Sequence, residues 1–119
     1  MTWEYYQSTD ELRHNGQLFQ KGYSGNGAGI NNPAMESVRG HGPIPKGYYR
    51  ISGSHDTVTP VTIILDPILG TNAFGRSLFR IHGGERNGER TASDGCIIID
   101  GVSNRQHILN SGDTILVVR

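Results

Sequence analysis

The sequence predicts a mainly β fold with one short helix near the C-terminus, from three observations. Asn15-Gly16 lies between two short extended runs. Asn-Gly is the strongest short hairpin signal, because a type I′ turn needs positive φ at both central residues. Apolar runs at Val61–Asp66 and Cys96–Ile99 are brief and bounded by loop-forming residues, as buried strands are. Finally, 17 glycines stand among 119 residues, about twice ordinary usage. With 34% hydrophobic residues, they imply a small core and many turns.

Taken in order, Thr2–Tyr6 is rich in aromatics and suits a strand. Residues 12–19 form the Asn-Gly hairpin. Gly22 to Pro33 holds four glycines and three asparagines and reads as a loop where a ligand can approach the backbone. Pro43 and Pro45 hold the next stretch extended and exclude helix. Tyr48–Ser52 and Val61–Asp66 are strands, with a loop over Pro67–Arg76. Ser77–His82 alternates, with Leu78, Arg80 and His82 on one face and Phe79 and Ile81 on the other. Gly83–Asp94 is a charged loop, and Cys96–Ile99 a strand. Asp100 is placed to N-cap a helix from about Gly101 to Asn110, with Val102, Ile108 and Leu109 as its apolar contacts. Gly112 ends it, and Asp113–Val118 is the last strand.

Length predicts one domain over residues 1–119. Lys plus Arg number 11 and Asp plus Glu number 11, a formal net charge of zero. The chain carries no basic stripe for nucleic acid and no polybasic membrane patch. No run approaches the ~20 apolar residues of a membrane span. The first residues lack the basic and apolar regions of a signal peptide. With one cysteine, Cys96, no intramolecular disulfide is available. A monomer is expected, there being no large exposed apolar run.

The chemistry-bearing segment is Ile81-His82-Gly83-Gly84 followed, after residues 85–92, by Ser93-Asp94-Gly95-Cys96. A histidine ends one strand and a cysteine begins the next. If those strands are neighbours, Cys96 returns toward His82, the minimum for an activated cysteine nucleophile. A free thiol titrates near ~8.5 and is mostly protonated at neutral pH. A nearby imidazole favours the thiolate and later returns a proton to a leaving amine. Gly95 permits a tight turn, and the amides of Gly95 and Cys96 are placed for an oxyanion. Ser93 can hydrogen-bond within the turn or position the His82 ring. Alone, a cysteine before an isoleucine run is more often a small buried hydrophobe; the combined spacing favours catalysis.

His-Gly followed by Ser-x-Gly-Cys resembles the signature of the L,D-transpeptidases, the YkuD-like cysteine enzymes of peptidoglycan. Pro45-Lys46-Gly47-Tyr48-Tyr49-Arg50-Ile51 is similar to an upstream segment of that fold. Trp3-Glu4-Tyr5, Gln7-Ser8-Thr9, Gly22-Tyr23-Ser24-Gly25 and Asn31-Asn32-Pro33 resemble the start of compact L,D-transpeptidase-like effector domains of type VI secretion. The resemblance runs from Trp3 to Val118. Asp94 stands where the family often has His, and Ile98 and Ile99 where Arg or Asn often follows the cysteine. It implies an L,D-transpeptidase-like β-sandwich or barrel and a peptidoglycan tetrapeptide substrate cleaved before its terminal D-alanine. Water as acceptor makes the enzyme an L,D-carboxypeptidase; a D-amino acid gives exchange. It further implies an antibacterial effector made in the cytoplasm and acting in a target cell's periplasm, with an immunity protein and a secretion apparatus as partners. Cys96, His82, Ser93 and Gly95 carry the chemistry in this reading. Gly83, Asp94, Arg80, Tyr23 and His41 are candidates for substrate binding.

Several residues also have plainer readings. Arg80 can pair a substrate carboxylate or a structural partner, Glu85 or Asp94. Tyr23 can meet glycan or stem, or serve turn geometry. His41 can line the site or stand exposed in its loop. The spacings of His14, His41, His55 and His107 with His82 and Cys96 are not those of metal motifs, so no metal and no cofactor are expected. The alternative to an enzyme is a non-catalytic cell-wall-binding module that keeps the fold. A papain-like peptidase runs cysteine before histidine, the opposite order.

Overall fold

The computed structural model describes residues 2–56, 60–84 and 95–119. Among them are nine strands and one α-helix: β1 (Trp3–Tyr5), β2 (Glu11–His14), β3 (Gln17–Lys21), β4 (Tyr23–Ser24), β5 (Gly47–His55), β6 (Thr62–Ile68), β7 (Arg80–His82), β8 (Ile97–Ile98), α1 (Val102–Asn110) and β9 (Ile115–Val118). The strands form one sheet in the order β3-β2-β1-β9-β5-β6-β7-β8-β4. The β1–β9 and β7–β8 pairs are parallel and the rest antiparallel. The two outermost strands, β3 and β4, are consecutive in the chain, with only Gly22 between them. A sheet whose ends are one residue apart must curl on itself, and this one is nearly closed into a barrel. Gly22 sits so close to β8 that a Cβ there would overlap the Ile98 carbonyl. The seam therefore needs a glycine.

The core lies inside the curl. Alternation along β5 turns Tyr49 and Ile51 inward while Tyr48 and Arg50 face out. They pack with Trp3, Tyr5, Leu12, Ile44, Ile63, Leu65, Phe79, Ile81, Ile97, Ile99, Ile108 and Leu116. The hairpin forms as its sequence predicts: Asn15 and Gly16 both have positive φ, 52° and 83°.

Several elements differ from expectation. Gly22 to Pro33 is not a plain loop, since it holds β4 and the short 3-10 turns Gly27–Gly29 and Pro33–Met35. β6 runs through Pro67 to Ile68. It pairs with β7 only at Ile63 and Ile64, so no strand on that side needs the missing Pro67 N–H. β7 is confined to Arg80–His82, because Leu78 takes φ 61°. Asp100 does not cap α1. Gly101 holds the cap position with φ 96°, and the Asp100 Oδ1 instead accepts from the Gly84 amide at 2.9 Å. Val102 faces solvent. The helix buries Ile108 and, unexpectedly, the whole of Arg105. The Arg105 guanidinium donates to the carbonyls of Pro60, Val61 and Ile99.

Candidate active site

His82 ends β7, and Cys96 stands one residue before β8, which is shorter than the strand expected over Cys96–Ile99. β7 and β8 pair in parallel, with Ile81 opposite Ile97 and His82 opposite Ile98. The Ile99 amide donates to the His82 carbonyl at 2.9 Å and extends the pairing. Ile81 and Ile97 point into the core. Alternation turns His82 and Ile98, and one step earlier Arg80, to the opposite face. Cys96 thus enters β8 beside the strand that His82 ends.

His82 is only 4% exposed. Its Nδ1 lies 3.0 Å from the Gly83 carbonyl oxygen. A carbonyl only accepts, so Nδ1 carries the hydrogen and Nε2 the lone pair of the neutral ring. Gly83 therefore favours the Nδ1–H tautomer. Asp100 reaches back to the next amide, Gly84, and pins the chain as it leaves β7.

Cys96 is partly buried, and its Sγ–H donates to the Leu78 carbonyl at 3.5 Å. The left-handed backbone at Leu78 lies beside that contact, with the Leu78 side chain 72% exposed. Gly95, just before the nucleophile candidate, has φ 117°, a region that L side chains rarely adopt. A Cβ there would overlap the Arg76 guanidinium. The Gly95 carbonyl accepts from the Ser24 hydroxyl at 3.3 Å, and the Ile44 amide donates to that same Ser24 oxygen at 2.8 Å. Ser24 is fully buried and ties the turn to β4 and to the proline segment.

Arg76, 6% exposed, lies against this turn. It donates to the carbonyls of Glu36, Pro43 and Gly42 at 2.5, 2.8 and 2.9 Å. Burial pushes its pKa down, as does the nearby charge of Arg39, while attraction to Tyr49, Cys96 and Glu36 opposes this. Sequence reading offered Ser24, with Tyr23 and Asn31, for glycan or stem contact or for turn geometry, not as a buried tie, and it did not single out Arg76. Their partners lie tens of residues away in the chain.

The other candidates separate. Arg80 is half-buried and lines a cleft of about 420 Å³ with His55, Asp66, Leu78 and Phe79 among its walls. Among the described residues no hydrogen bond or ion pair engages its guanidinium. Tyr23 is buried in β4 beside Ile98. His41 is exposed, with Nδ1 2.9 Å from the Asn26 side-chain oxygen. Ser93, Asp94 and Glu85 lie outside the described residues.

The arrangement defines a class: a small curled β-sheet domain with a histidine at the end of one strand and a cysteine at the start of its parallel neighbour. A family model for the Tlde1 domain matches residues 19–116, most of the chain. The chain belongs to the Tlde1 domain family, a family of L,D-transpeptidase-like domains of type VI effectors. No curated protein and no solved structure matches it. No helix among the described residues is long and apolar enough to cross a membrane.

Proposed function

We propose that residues 1–119 form one cysteine-dependent catalytic domain that cleaves the L,D bond before the terminal D-alanine of peptidoglycan tetrapeptides. The observation that supports this reading is the parallel β7–β8 register, which sets His82 opposite Ile98, two residues after Cys96. Membership of an effector family agrees with a peptidoglycan target, action in the periplasm of a target cell and an immunity partner.

In this mechanism His82 Nε2 takes the Cys96 proton, and the thiolate attacks the carbonyl carbon that joins the third residue to D-alanine. A C–S bond forms, and the amides of Gly95 and Cys96 receive the oxyanion. The C–N bond breaks as His82 returns the proton to the D-alanine amine. Water then attacks the thioester, releases the tripeptide acid and regenerates the thiol. A D-amino acid as acceptor instead restores a tetrapeptide with a new terminus. Ser93 and Asp94 precede the turn, and Arg80, Tyr23 and His41 are candidates for holding the stem.

The test is mass spectrometry of purified tetrapeptide muropeptides incubated with the protein and with Cys96→Ala. Loss of terminal D-alanine with the unsubstituted protein alone is expected. Adding a D-amino acid identifies the acceptor. Sacculus binding unchanged in Cys96→Ala, with no cleavage by either protein, would replace the enzyme with a wall-binding module.

A further inference from the structure

Arg76 is a buried cation built against the turn that carries Cys96. Three carbonyl oxygens, those of Glu36, Gly42 and Pro43, accept from its guanidinium. The guanidinium occupies the space a side chain at position 95 would take, so only a glycine lets the turn approach it. Phe79 lies beneath the cation, with Cζ 5.7 Å from the ring centroid, and shields it from water. Cys96 follows Gly95 directly, so the cation lies against the residue next to the thiol.

We propose that Arg76 is a positioning residue for Cys96. It clamps the Gly95–Cys96 turn to the Gly42–Pro43 segment, and its fixed positive charge favours the Cys96 thiolate independently of His82. The assignment rests on the reading of Cys96 as the nucleophile. The two supports differ in kind. His82 loses its charge when it deprotonates, whereas an arginine stays charged throughout the range in which a thiol titrates. Other charged groups face the pair. Arg80 and His82 lie on β7, beside the strand that follows Cys96, while Glu36, Arg39 and Tyr49 act electrostatically on Arg76. Asp94 precedes the turn in the chain. A cation close to a thiol lowers its pKa by about one unit or more.

The experiment titrates Cys96 by its rate of alkylation with iodoacetamide as a function of pH. The proteins compared are the unsubstituted chain, Arg76→Met, Arg76→Lys and His82→Ala, each checked by circular dichroism. Removing the charge in Arg76→Met is expected to raise the midpoint by about one unit or more. Arg76→Lys keeps the charge and is expected to stay nearer the unsubstituted value. His82→Ala is expected to leave the midpoint below the ~8.5 of a free thiol. A folded Arg76→Met with an unshifted midpoint would overturn the proposal. So would His82→Ala titrating like free cysteine, which decides the matter if Arg76→Met does not fold. This readout needs no substrate. A low midpoint without muropeptide cleavage would leave the role of Arg76 standing and remove the proposed function.

Discussion

Ser24 and Gly95 show how single side chains set the candidate site without joining the chemistry. Ser24 is wholly buried and makes two hydrogen bonds that join β4, the proline segment and the turn before Cys96. Ser24→Ala removes both buried hydrogen bonds, and about 1–3 kcal/mol of stability is expected to be lost. Urea denaturation checks this, and iodoacetamide alkylation should show altered Cys96 reactivity. Gly95→Ala is expected to be more damaging to the site. The substitution forces φ 117° on an L-residue and pushes a methyl into Arg76. The backbone strain alone is of order 1–3 kcal/mol. Muropeptide cleavage should fall further in Gly95→Ala than in Ser24→Ala, since both the turn and its cation move. The charge effect of Arg76 was not legible in the sequence, where it ends a loop-forming stretch.

At the scale of elements, α1 and β8 are held together by a charge where the sequence offered apolar contacts. Val102 was expected to pack and is exposed, while Arg105 is completely buried. Its guanidinium binds the Ile99 carbonyl just beyond β8 and the Pro60 and Val61 carbonyls just before β6. Arg105→Met removes those donors and leaves three acceptors facing an apolar side chain. A loss of about 3 kcal/mol or more is expected. A lower urea midpoint at unchanged slope would show it. A helical wheel could not reveal this role, because a long cation is ordinarily a surface residue. Strand alternation, by contrast, was legible. Phe79 and Ile81 lie in the core as the pattern requires, with Arg80 and His82 on the other face. What alternation omitted was the left-handed Leu78, which shortens β7 and lies where the carbonyl meets the thiol.

At the scale of the whole molecule, the nearly closed sheet buries a tyrosine whose ionisation opposes folding. Tyr49 packs edge-on against Phe79 at 5.6 Å between ring centroids, and its hydroxyl donates to the Pro45 carbonyl at 2.7 Å. Burial pushes its pKa well above the ordinary 10.0, with the Arg76 charge pulling the other way. The unfolded chain releases this proton near 10 while the folded chain keeps it. Below that pH the contribution is fully present; above it, the unfolded state binds fewer protons and stability falls as pH rises. Thermal denaturation of the unsubstituted protein should therefore move to lower temperature above pH 10. Tyr49→Phe should flatten that dependence while losing the hydrogen bond to Pro45 at every pH.

The sequence by itself determined the elements whose cause is local. Asn15-Gly16 fixes a hairpin because its two residues accept positive φ. β-branched runs fix buried strands, and the order His-Gly then Ser-x-Gly-Cys marks where chemistry is to be sought. Tertiary structure alone decided what depends on distant partners. It made β7 and β8 neighbours and parallel, bringing the start of β8, just after Cys96, beside the strand that His82 ends. It drew Asp100 from its expected cap to the Gly84 amide. It brought β3 and β4 to opposite ends of a sheet that a single glycine nearly closes. It also buried Arg76 against Gly95. The physical reason is range: backbone propensity and alternation act over a few residues, whereas burying a cation or closing a sheet requires surfaces that only the folded chain brings together.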